Sequence, residues 1–202
     1  MTERLIVAIC GASGSIYALR LLRELLARPL EVHVIASPAG RQVMSHELGY
    51  EGNLPALLEK TFGSGRDPGA FLVEHRAETF FAPPASGSFK HAGMVVVPCS
   101  MKTLAAIAAG VADNLVTRAA DVCLKERRPL ILVPRETPLS TIHLENMLRA
   151  ARAGALILPP APAFYHGPKT IENLVDFVVA RILDHLGISH RLVGEWTREN
   201  LV

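Results

Sequence analysis

Short uninterrupted apolar runs alternate along this chain with stretches whose apolar residues recur every three or four positions. Residues 5–9, 30–35, 93–97, 130–133 and 155–158 are runs of strand length. Apart from Glu31 and His33 in 30–35, they lack the polar alternation of a half-solvated strand, which suits parallel strands covered on both faces. Between them, Ile16, Leu19, Leu22 and Leu26 line one side of a predicted helix over 15–27, with Arg20, Arg23 and Glu24 opposite. A small-residue helix over 104–109 is closed by Gly110. Another over 115–127 ends in Lys125, Arg127 and Arg128, where cations suit the helix dipole, before Pro129 stops it. Ser140 or Thr141 caps a helix running to about 153, and the last helix spans 171–185 up to Gly187. From 50 to 92 the periodicity fades; a helix near 55–61 and a strand near 71–74 are the elements predicted there.

Strand–helix alternation of this kind predicts an α/β protein: a doubly wound parallel sheet in a flavodoxin- or Rossmann-like three-layer sandwich. Residues 1–187 read as one domain, and 188–202 as a tail that docks on a neighbouring subunit. At 202 residues, half of them hydrophobic, and a mean hydropathy of +0.27, the chain has too much to bury for disorder. The same apolar excess points to a homo-oligomer, because monomers seldom expose large apolar patches. A net charge of +2 with 5% aromatic residues provides neither the basic patch nor the stacking platform of a nucleic-acid binder.

Cys10, Cys99 and Cys123 form no CxxC pair, which reads as buried thiols in a reducing compartment. The N-terminus shows no signal-peptide pattern. The longest uncharged stretch, 153–168, holds four prolines and is too short for a membrane span. A cytoplasmic protein is expected. None of the eight histidines stands at an HxxxH or His-Cys ligand spacing, so no metal site is expected.

Open α/β sheets bind ligands beyond the carboxyl ends of their strands. The segments there are 10–15, Ser37-Pro38, 98–103, 134–138 and 159–169, and all are dense in groups that hold an anion. Gly11-Ala12-Ser13-Gly14 joins a strand to a helix, where glycines admit a phosphate to free N–H groups. It is neither GxGxxG, nor a P-loop, nor a GxSxG elbow. Dinucleotide enzymes usually place Asp or Glu at the end of the second strand for the adenosine ribose. The residue here is Ser37, which counts against NAD and leaves a mononucleotide such as FMN open. Ser100-Met101-Lys102-Thr103 opens a second helix at the same edge, and Arg135-Glu136 sets a cation beside a carboxylate.

Gly11-Ala-Ser-Gly14, Pro84-Ala-Ser-Gly-Ser88, Pro98-Cys-Ser-Met-Lys-Thr103, Arg118-Ala-Ala-Asp-Val122, Leu124-Lys-Glu-Arg-Arg128, Val133-Pro-Arg-Glu-Thr-Pro138, His143-Leu-Glu-Asn146 and Ala163-Phe-Tyr-His166 together resemble the UbiX-type flavin prenyltransferases. The likeness runs from about Arg4 to Trp196. It implies a homo-oligomer, usually a dodecamer, that joins the dimethylallyl group of dimethylallyl monophosphate to N5 and C6 of reduced FMN without a metal. The implied product, prenylated FMN, serves a UbiD-type decarboxylase. By the same resemblance Gly11, Ala12, Ser13, Ser37, Ser100, Met101, Lys102, Thr103 and Arg135 match the flavin positions. Ser86, Arg118, Lys125, Tyr165 and Arg181 match those around the prenyl phosphate, some reaching it from neighbouring subunits. Lys125 has a catalytic share in neutralising that phosphate, and Ser13, Glu47 and Glu136 match residues of proton handling. Phe80 stands where some relatives carry Trp. Two other readings use the same residues: an FMN-dependent decarboxylase of the phosphopantothenoylcysteine type, whose Pro-x-Met-Asn clamp this sequence lacks, and a non-catalytic flavin-binding subunit.

Overall fold

A computed structural model describes residues 3–194. In chain order the elements are β1 (Glu3–Ile9), α1 (Ser15–Leu26), β2 (Leu30–Ala36), α2 (Pro38–Leu48), α3 (Leu54–Phe62), β3 (Phe71–Arg76), β4 (Gly93–Cys99), α4 (Met101–Ala109), α5 (Leu115–Lys125), β5 (Leu130–Pro134), α6 (Thr141–Arg152), β6 (Leu156–Ile157) and α7 (Ile171–His185). A short 3-10 turn at Pro83–Ala85 lies on the segment between β3 and β4. Six strands form one sheet in the order β3-β2-β1-β4-β5-β6, and every pair is parallel.

Side-chain alternation sorts the strands' apolar residues into two cores. Leu5, Val7 and Ile9 of β1, with Val95 and Val97 of β4, pack against α1 and α7. Ile6 and Ala8 of β1, with Met94 and Val96 of β4, pack against α4 and α5. The doubly wound, three-layer architecture expected from the apolar runs is what forms. The central strands β1 and β4 are buried end to end except at the start of β1, whereas the edge strand β3 is largely exposed.

Several boundaries differ from the sequence expectation. Strand β6 is two residues long; the Leu158 N–H adds one more bond to Leu132 O at 2.8 Å, and Pro159 and Pro160 beyond it cannot donate to a ladder. Helix α5 stops at Lys125, and Arg127 turns left-handed at φ 54° before Pro129. The chain between β2 and β3 forms a full helix, α2, absent from the expected elements. Its amino end is made by Ser37, whose hydroxyl accepts the Gly40 N–H, with Pro38 in the first turn, and Gly49 closes it at φ 67°.

Of the tail, Ile188 and Leu192 pack against the chain's own core beside α1 and α7, and His190 bonds Asp184 at 2.9 Å. Residues 195–202, with the rest of the expected docking tail, lie outside the described residues. Among the described residues no helix is long and apolar enough to cross a membrane.

Neighbouring strands whose crossovers run to opposite faces leave a crevice between their loops. Here β1 leads into α1 on one face and β4 leads into α4 on the other, so the crevice lies at their carboxyl ends. The first turn of α2 is pressed against its floor: a Cβ on Gly40 would stand 2.3 Å from the carbonyl oxygen of Ile9. Gly40→Ala is therefore expected to destabilise the protein by about 1–3 kcal/mol, the range of overpacking against unyielding structure. A lowered denaturant midpoint at unchanged slope would register the loss.

Candidate active site

Four loops are tied together at the carboxyl edge by main-chain bonds. The Cys10 N–H donates to Pro98 O at 3.1 Å, Ser37 N–H to Ile9 O at 3.0 Å, and Arg135 N–H to Cys99 O at 3.2 Å. The Arg135 guanidinium adds a bond from Nε to Ser13 O at 3.2 Å. These contacts bring Gly11, Ala12, Ser13, Ser37, the Ser100–Thr103 turn, Arg135 and Glu136 to one place, as their positions after strands required.

The decisive side chain in this cluster arrives from α2. The Glu47 carboxylate accepts the Ser15 N–H at 2.8 Å and the Gly14 N–H at 3.1 Å. It thus occupies the amino end of α1, where unpaired N–H groups and the helix dipole favour an anion. Gly14 holds φ at 110° to present its N–H, a conformation that side-chain-bearing residues rarely adopt. Burial, the largest influence, pushes the Glu47 carboxyl up. The Ser13 hydroxyl and the Ser15 and Gly14 N–H groups outweigh it and hold the carboxyl below the ordinary range. Glu47 is ionised at neutral pH.

Other donors remain uncommitted. The N–H groups of Gly11, Ala12 and Ser13, and of Met101 and Lys102 at the start of α4, have no protein acceptor among the described residues. Ser37 and Ser100 both act as caps: Ser37 Oγ accepts the Gly40 N–H at 3.0 Å, and Ser100 Oγ accepts the Thr103 N–H at 3.3 Å. The side chain of Met101 is buried in the core with α4 and α5, so only its main chain can meet a ligand. Lys102 is exposed. Glu136 is exposed too, and its Oε1 accepts the Thr137 N–H at 3.0 Å. Burial pushes the Cys10 thiol up and the Cys99 thiol well up, and Cys123 to about 12, so none of the three is a thiolate nucleophile at neutral pH. Among the described residues no three metal-ligating side chains gather.

The residues matched to a prenyl phosphate do not join this cluster as one group. Ser86, Arg118 and Lys125 lie along α5 and the strap 83–89 that crosses it. The Arg118 Nε donates to Ala85 O at 3.2 Å, Arg128 donates to Gly87 O and Phe89 O at 2.7 Å each, and Lys125 pairs with Glu126. The Leu115 N–H bonds Ala77 O, just past the carboxyl end of β3, and Lys125 stands about 15 Å along the helix from Leu115. Tyr165 and Arg181 belong to the other face of the sheet. The Tyr165 ring meets Phe177 of α7 edge-on at 6.1 Å. Arg181, one turn beyond Phe177 on the same side of that helix, pairs with Asp184 at 2.8 Å. Phe80 is exposed at the start of the strap.

A family model described as Flavoprotein matches residues 1–183. The chain is 49% identical to flavin prenyltransferase UbiX of Pseudomonas aeruginosa over 205 aligned positions, covering 99% of this chain and 97% of that one. The chain belongs to the UbiX flavin prenyltransferase family. Among solved structures, AnUbiX in complex with FMN and dimethylallyl pyrophosphate superposes with a TM-score of 0.87 at 43% identity, covering 98% of each chain. A dodecameric FMN-dependent UbiX-like decarboxylase from Escherichia coli O157:H7 gives a TM-score of 0.86 at 45% identity, covering 96% of this chain and all of that one.

Sequence spacing alone does not bring Glu47 to the cluster, since 33 residues separate it from Gly14; the contact depends on α2 forming. The S-P start and glycine stop of that helix were the available signal. Because its folded-state carboxyl is depressed, Glu47 adds stability that is present above the unfolded carboxylate pKa of about 4.3 and is lost as pH falls through the lower folded value. The stability gap between wild type and Glu47→Gln is therefore expected to shrink between pH 6 and pH 3, measured by urea denaturation at each pH. A gap constant across that range would remove the carboxylate from this role.

Proposed function

We propose that this protein transfers the dimethylallyl group of dimethylallyl monophosphate to N5 and C6 of reduced FMN, yielding prenylated FMN for a UbiD-type decarboxylase. The observation that carries the reading is the loop cluster itself. Uncommitted N–H groups, the Ser37 and Thr103 hydroxyls and the Arg135 guanidinium converge at the switch point, and the second strand ends in no acidic residue. That donor set fits a flavin mononucleotide and lacks the acidic ribose ligand usual in NAD enzymes.

Gly11, Ala12, Ser13, Ser37, the Ser100–Thr103 turn and Arg135 would hold the flavin, whose reduced ring supplies the nucleophilic atoms when bound. Around the prenyl ester, Lys125, Arg118 and Arg181 neutralise the phosphate as charge gathers on its oxygens, and the Ser86 and Tyr165 hydroxyls donate to it. Glu47, ionised and bonded to the first turn of α1, accepts a proton through the Ser13 hydroxyl beside it. Glu136, exposed at the crevice next to Arg135, is the second carboxylate able to take one. An aromatic wall at Phe80 can face the allylic carbon by its π surface. The enzyme would work in the cytoplasm, where three unpaired thiols persist.

Assembly is part of this reading. One chain sets Lys125 and Arg118 on α5 and Arg181 on α7, across the sheet from each other. A single phosphate touched by both sets draws on two copies of the chain, and a dodecamer supplies such junctions.

Under anaerobic conditions, protein with reduced FMN and dimethylallyl monophosphate is expected to yield flavin heavier by one prenyl unit in mass spectrometry. Unchanged flavin mass with both the monophosphate and the pyrophosphate would defeat the proposal. A second measurement tests the shared site. Lys125→Ala and Arg181→Ala are each expected to lose at least about a hundredfold in rate, the scale of removing one charged stabiliser. Co-assembled, the two variants should recover roughly a quarter of wild-type activity, since random mixing leaves that share of two-copy junctions intact. No recovery would mean that both cations serve one chain's own site.

A further inference from the structure

A cavity of about 310 Å³ lies between the second half of α1, α3 and the loop 63–66, at the small end of ligand-binding volumes. Leu26, Leu58, Phe62 and Leu72 floor it, and Arg23 and Arg66 stand at its rim. The Arg23 guanidinium lies over the Phe62 ring, 4.8 Å from its centroid, and has no carboxylate partner among the described residues. Arg66 gives Nε and one terminal nitrogen to the Ala70 carbonyl oxygen, at 3.1 and 2.6 Å, which leaves the other terminal nitrogen uncommitted. The N–H groups of Ser64 and Gly65 have no protein acceptor among the described residues. Glu59 is the single carboxylate in the lining, so the two guanidinium groups leave an excess of one positive charge.

This place is remote from the flavin crevice. The Asp67 N–H donates to Leu26 O at 2.8 Å, which fixes the loop at the carboxyl end of α1, whereas Glu47 binds the amino end. Twelve helical residues set the two about 18 Å apart. Apolar floor, rim of planar forked donors and net single charge are together the complement of one chemical class.

We propose that this cavity is a second binding site, for a small amphipathic anion: an apolar body of roughly eight carbons, the size such a volume admits, with one phosphate or carboxylate head. The body lies on Leu58, Phe62 and Leu72. Arg23 and Arg66 grip the head, and the Ser64 and Gly65 N–H groups complete its shell. The site stands independently of the prenyltransferase reading.

Titration calorimetry tests it on the full-length protein saturated with FMN, in a Lys125→Ala background that weakens phosphate binding at the donor site. The probes are octyl phosphate, octanoate, octanol and inorganic phosphate. At least one of the two amphipathic anions is expected to bind, and which of them binds better identifies the head. Its affinity should fall about tenfold or more in each of Arg23→Ala and Arg66→Ala, the loss expected for a charged hydrogen bond. Both arginines are exposed; because Arg66 also holds the Ala70 carbonyl oxygen, Arg66→Lys is measured beside Arg66→Ala, and each variant is expected to keep the wild-type melting temperature within a few degrees. Octanol and inorganic phosphate should each bind at least about tenfold more weakly, lacking head or body. Absence of binding by both anions, equal affinity in the arginine variants, or a match by octanol or inorganic phosphate would each overturn the proposal.

Discussion

One carboxylate governs how the crevice is built. Glu47 neutralises the amino end of α1 with two main-chain bonds, and in doing so pins the end of α2 against the loop that follows β1. The Gly40–Ile9 contact pins the start of α2 to the same loop. The crossover units that follow β1 and β2, packed on the same face of the sheet, are thereby locked together at its carboxyl edge. The helix end that would draw a ligand's negative charge is already served from within, so a bound anion is left with the uncommitted N–H groups of the neighbouring turns.

Much of this was legible from residue order because each central strand is buried on both faces and must be apolar throughout. Leu5–Ile9 and the run beginning at Gly93 could hardly be anything else, and the loops after them inherit their place from the topology. Helix α2 was hidden by a different balance. Only Gly40 and Met44 are buried in it, so its apolar stripe is too thin to register, and its ends carry the only local signal. Glu47 was nameable through resemblance, but its contact with Gly14 depends on tertiary packing that no short window contains. The depth of the cation set along α5 was equally invisible. A helix reports which of its faces is apolar, not where along the sheet its last turn falls.

The division of cations between α5 and α7 follows from the same sheet. Helices after β4 cover one face, and the final helix returns to the other beside α1. On the proposed reading, charges meant for one small ester end up back to back in a single chain, and self-association would turn that separation into convergence. Under that proposal, the apolar excess of the composition and the distribution of these arginines and lysines would be two expressions of one requirement, a site completed by a second copy.

The strap over α5 is held from outside itself. Arg118 and Arg128 grip the carbonyl oxygens of Ala85, Gly87 and Phe89, and Phe89 is wedged between the Arg4 guanidinium and the His33 ring. Its course past Ser86 is thus dictated by main-chain oxygens, which every residue type provides. Evolution is free to exchange the bulky side chains upstream, Phe80 and Phe81, and so to reshape whatever lies against them, while the serine downstream keeps its station.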